Sequence, residues 1–249
     1  MKLAHAFLSS AVLAAGLLSA LPAAAEVSVT TGAGYATMVK ALAAAYDEAL
    51  PAGAPKAVQN YGGNIGQMLS QVSAGSGVNL VITDLGTLKA VRTPVEFASV
   101  TELGSTPLVF VWGRSVKISG VRDLSSDAVK AFAYPDPKAA VYGRAAKAWL
   151  ESSGLAGKLA GKALSVATVP QVAAYVVKGE VEAGFVNRTA ARANAGSLGG
   201  VEEITSGYPP ITMVAAVVKG AESDADVKRF VEFLGTDKAR AILGKFGID

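Results

Sequence analysis

From Val27 onward, short β-branched runs alternate with longer segments whose apolar residues recur at helical spacing. Residues 27–31 read as a buried strand. Residues 36–50 read as a helix with Met38, Leu42, Ala45 and Tyr46 on one face, ended by Pro51-Ala52-Gly53-Ala54-Pro55. A second strand over 56–61, a Gly62-Gly63-Asn64 turn and a helix over 65–74 repeat the unit. A buried strand over 79–83 follows, then a loop and a short helix to Val91. The segments 107–112 and 211–218 are long apolar strands, far apart in the chain. Between them lie strands over 131–134, 164–167 and 183–186, and helices over 139–152, 170–178 and 188–195. Two more helices, 224–234 and 237–246, close the pattern.

Strand–helix alternation of this kind predicts an α/β fold of mostly parallel sheets with crossover helices. The long strands at 108–111 and 212–217 read as two chain crossings, into and out of an inserted domain. The expected organisation is a first lobe from residues 26–107 and 212–249 and a second lobe from residues 108–211. Ligands in such folds sit beyond the C-terminal ends of the strands.

The first 25 residues do not fit the pattern. Lys2, an apolar run over 6–21 and Ala23-Ala24-Ala25 have the order of a cleaved signal peptide, so export is expected and Glu26 is the expected first mature residue. The chain has no Cys and a single histidine, His5, which falls inside that segment. Disulfides, the usual zinc sites and a Ser-His-Asp triad are thereby excluded from the mature chain. No nucleophile with an activating base stands out, so an enzyme is not expected, and no cofactor or metal is called for. A net charge of +3, with no basic run interleaved with aromatics, is no nucleic-acid signature. The 51% apolar content must stabilise the fold by packing alone.

Two glycine patterns suggest phosphate loops and fall short. Gly32 and Gly34 lack the third glycine of a dinucleotide fingerprint, because Thr37 stands there. The segment Gly157–Ala163 has its glycines one residue too close and no terminal hydroxyl, and reads as an exposed helix end and turn. The turn at Gly32-Ala33-Gly34-Tyr35 still leads from a strand into a helix. Its bare backbone and orphan N–H groups suit an anion.

Several ordered cues resemble one family. They are Val29-Thr30-Thr31-Gly32-Ala33-Gly34-Tyr35, Gln71-Val72-Ser73-Ala74-Gly75 leading to Asn79-Leu80-Val81-Ile82, and the Pro135–Arg144 helix entrance. Val177–Val186 leading to Asn187, and the ending Phe233–Gly247, complete the set. The mature chain resembles the molybdate-binding family of periplasmic solute-binding proteins, with the two-lobed type II fold. The resemblance implies capture of a tetrahedral oxyanion between two lobes and delivery to the membrane permease of an ABC importer. It implies backbone donors at Ala139 and Val169. The family's two hydroxyl positions correspond to Gly34 and to Asn64 or Ile65, and its tyrosine position to Asn187. Tyr35 lies at the same turn as Gly34. A periplasmic monomer with a small anionic ligand is therefore expected. The changed side chains also leave open an organic anion or polar metabolite, or a ferric site built on Tyr35, Tyr61 and Asp84.

Overall fold

The computed structural model describes residues 26–90 and 92–249. The expected signal segment and Val91 lie outside these residues. The chain forms two five-stranded sheets wound in the same way.

In the first sheet, β1 (Ser28–Thr31) lies between β2 (Val58–Tyr61) and β3 (Leu80–Asp84), and all three are parallel. β10 (Ile211–Val218) runs antiparallel to β3 and to β4 (Phe97–Thr106), which forms the edge. Every residue of β1 and β3 is buried, as a strand covered on both faces requires. α1 (Ala36–Ala49) covers one face with Met38, Val39, Leu42 and Tyr46. The Tyr46 ring packs edge-on against Phe230 of α8 (Ala225–Leu234), with centroids 4.8 Å apart. α2 (Ile65–Ser73) buries Ile65, Met68 and Leu69, while α3 (Leu85–Ala90) follows β3 directly.

The second sheet repeats the arrangement. β6 (Phe132–Pro135) lies between β7 (Ala163–Val166) and β8 (Ala183–Asn187), again parallel. β5 (Leu108–Gly113) is antiparallel to β8 and to the edge strand β9 (Leu198–Ile204). Phe110, Phe132 and Phe185 meet in its core with Trp149 of α4 (Val141–Ser152). α5 (Ala156–Leu159) is a single turn, α6 (Val169–Lys178) and α7 (Arg188–Asn194) flank the sheet, and α9 (Asp237–Lys245) ends the helical order.

The chain passes between the sheets twice. Pro107 separates β4 from β5, and residues 205–210 separate β9 from β10. Two strands were not anticipated, β4 and β9. Both are edges, and β4 is largely exposed with Thr101 and Glu102 along it, so the hydrophobic signal is absent where one side faces water. Among the described residues no helix is long and apolar enough to cross a membrane.

Candidate ligand cleft

Four helix starts meet at one place. The first is a 3-10 turn over Ala33–Tyr35 that leads into α1. Its Ala33 N–H donates to Gly63 O at 2.9 Å, tying it to the second start, the Gly63-Asn64 turn before α2. Asn64 caps α2 reciprocally: Gln67 N–H donates to Asn64 Oδ1 at 3.1 Å, and Asn64 N–H donates to Gln67 Oε1 at 2.9 Å. Gly63 sits at φ +64°, a left-handed conformation that favours glycine, and a Cβ there would fall 1.9 Å from Gln67 Oε1 and displace it from its cap.

The other two starts belong to the second sheet. The Asp136–Ala140 turn opens α4. Thr168 caps α6 with Gln171 in the same reciprocal way. Pro170, in the first turn of α6, has no N–H to leave unpaired.

Together these segments bound a cleft of about 420 Å³ of empty space, part of it open to solvent. Gly34, Tyr35, Asn64, Ile65, Ala139 and Val169 all line it, with Thr83, Asp84, Tyr142 and Thr168. The first-turn N–H groups of Ile65, Val141 and Val169 have no intrahelical acceptor and lie at this lining. The cleft is thus a set of oriented donors with partial positive charge.

Ala139 corrects one expectation. Its N–H donates to Asp136 O at 3.1 Å, and that of Ala140 donates to the same oxygen at 2.8 Å. Asp136-Pro137 closes its own turn, so α4 begins at Val141 and the free donors move two residues along the chain. Asn187 also departs from its expected place. Its side chain is fully buried and is not part of the lining. Its Nδ2 donates to Gly34 O at 2.9 Å, and its Oδ1 accepts from Ala190 N–H at 2.8 Å as the cap of α7. Asn187 therefore fixes the Gly34 turn from behind. A Cβ on Gly34 would lie 3.4 Å from that amide nitrogen and 3.5 Å from Val169 Cβ, in ordinary contact with both.

The remaining polar groups face each other across the cleft. Tyr35 O–H donates to Tyr142 Oη at 2.5 Å, with both rings buried. Burial pushes both phenols above their ordinary range, so the pair is neutral and offers hydroxyls rather than phenolates. Tyr61, whose hydroxyl donates to Gln59, is outside the lining, so Tyr35, Tyr61 and Asp84 do not assemble as a ferric site. Arg188 lies away from the cleft. It forms a two-pronged pair with Glu203 at 2.6 and 2.9 Å and donates to Asp249 and to Gly247 O.

Residues 27–249 match the family model described as bacterial extracellular solute-binding protein. The molybdate-binding protein ModA of Azotobacter vinelandii is 26% identical over 243 residues, 94% of each chain. The solved periplasmic molybdate-binding protein from that organism superposes with a TM-score of 0.76 at 21% identity, covering 90% of this chain and 99% of its own. The substrate-binding domain of a putative molybdenum ABC transporter from Clostridium difficile gives 0.68 at 24% identity, covering 89% and 97%. A periplasmic thiamin binding protein gives 0.73 at 15% identity, covering 89% and 82%, so the shared fold does not fix the ligand. The two like-wound sheets are those of a type II periplasmic binding protein, and the chain belongs to the bacterial extracellular solute-binding protein family.

Proposed function

We propose that this protein captures a small tetrahedral oxyanion of the molybdate or tungstate kind and delivers it to the membrane permease of an ABC importer. It does so as a periplasmic monomer after loss of residues 1–25, and it catalyses no reaction. Residues 26–107 with 212–249 form one lobe and residues 108–211 the other, and the ligand lies between them. Closure hinges at the two crossings around Pro107 and residues 205–210 and is favoured by whatever the closed cleft binds better.

The observation that carries the reading is the convergence of helix starts from both sheets on one lining, with the Ile65, Val141 and Val169 N–H groups free of intrahelical partners. Each hydrogen bond to a charged oxygen contributes about 1.5–3 kcal/mol. Three such donors and a hydroxyl from the Tyr35–Tyr142 pair supply roughly 6–12 kcal/mol, against about 8 kcal/mol for micromolar binding. Intrinsic fluorescence of the mature chain, titrated with molybdate, tungstate and sulfate, tests this. Saturation at micromolar concentrations supports it, and no response to any of the three rejects it.

A second reading keeps the fold and transport role and changes the ligand to a small organic anion or polar metabolite. Asp84 in the lining favours it, because a carboxylate accepts hydrogen bonds that a fully deprotonated oxyanion cannot give. A thermal-shift screen of organic acids and polar metabolites separates the two readings.

A further inference from the structure

An oxyanion cleft leaves one lining group to be accounted for, the carboxylate of Asp84. Its side chain is 2% exposed at the end of β3. Oδ1 accepts from Thr87 N–H at 2.7 Å and Oδ2 from the Thr87 hydroxyl at 2.5 Å. These contacts start α3, and an asparagine would start it as well without any charge. The charge has no structural task in that cap, and it stands where it opposes an anion.

Its compensating cation comes from the opposite side of the cleft. Arg144 lies on α4, against the second sheet, whereas Asp84 and Thr87 belong to the first. Arg144 Nη2 lies 3.6 Å from Asp84 Oδ1 and donates to the Thr87 hydroxyl. Nη1 is buried without a hydrogen-bond partner among the described residues, so no other group draws on that end of the guanidinium.

We propose that Arg144 is a positioning residue that couples closure of the cleft to anion capture. With the two sides apart, Asp84 keeps an unneutralised charge beside the donors and weakens binding. With the sides together, Arg144 cancels that charge and the donors act at full strength. The closed form therefore binds the anion better than the open form, which is the differential affinity that a ligand-driven closure needs. This rests on the oxyanion reading, whose ligand class it uses.

Isothermal titration with molybdate and with sulfate, on the wild type and the Arg144→Gln, Arg144→Lys, Asp84→Asn and Arg144→Gln/Asp84→Asn variants, tests it. Thermal melts report folding alongside. Arg144→Gln is expected to weaken binding about tenfold or more, and Arg144→Lys to retain most of it. Asp84→Asn is expected to tighten binding several-fold, roughly the reverse of the Arg144→Gln effect. The double variant is expected to return to within about threefold of the wild type, because the two charges offset one another. A purely structural pair gives the opposite pattern, with Asp84→Asn weakening binding or the double variant as weak as Arg144→Gln, and either result overturns the proposal alone. A wild type that binds neither probe overturns the oxyanion reading and this inference with it.

Discussion

Asn187 joins two elements through its buried carboxamide. Its position matches a ligand-contact tyrosine in the resembled family, yet its carboxamide links the start of α7 to the Gly34 carbonyl. Asn187→Ala removes a helix cap and the hydrogen bond to the half-buried Gly34 carbonyl. It is expected to lower stability by about 1–3 kcal/mol, read from denaturant melts. Asp84 is the residue whose charge is most exposed to test. Burial raises its carboxyl above the ordinary 3.8, with the Thr87 hydrogen bonds and Arg144 offsetting part of that effect. The folded state then holds a proton more tightly than the unfolded one, so the stabilising contribution is fully present below about 3.8 and is lost as pH rises through the folded value. Melts of Asp84→Asn and wild type should therefore diverge in the variant's favour from about pH 4 upward. A constant difference across pH contradicts the raised value. The reciprocal caps at Asn64 with Gln67 and at Thr168 with Gln171 obey a local rule, a polar cap followed three residues on by Gln, that hydrophobic periodicity does not report. The opposition of Asp84 and Arg144 was not legible in the sequence, because residues on different elements carry no local spacing signal.

At the scale of elements, the buried strands and amphipathic helices were readable because both faces of β1, β3 and β8 are covered and their residues are mostly β-branched or apolar. The edge strands β4 and β9 were not, since one side faces water and β9 carries two glycines and two adjacent glutamates. The start of α4 was misplaced because Asp136-Pro137 can close a turn on the next N–H groups, a choice that hydrophobic periodicity does not report. α7 is tied to the end of α9 by side-chain donors. Thr189 O–H donates to Phe246 O at 2.8 Å, Arg192 to Gly244 O and Lys245 O, and Arg188 to Gly247 O and Asp249. Gly247, at φ +81°, has the Arg188 stem where a Cβ would stand. Gly247→Ala should displace that stem and force an unfavourable backbone, costing about 1–3 kcal/mol, with chemical denaturation as the readout. Arg188→Ala removes the same ties from the other side and is expected to cost about 1–2 kcal/mol, the Glu203 and Asp249 partners being partly exposed.

At the scale of the whole molecule, the repeated strand order and the two crossings follow from the alternation of buried strands and helices. The chemistry of the cleft follows from where the helices begin. In the proposed function, backbone donors at those starts, and not a set of charged side chains, hold the ligand. Amide-resolved NMR of the mature chain during titration with molybdate tests it most directly. Saturable downfield shifts of the Ile65, Val141 and Val169 N–H resonances are expected, at the same ligand concentration and larger than those of Ala139. Binding that leaves those three resonances in place would contradict it.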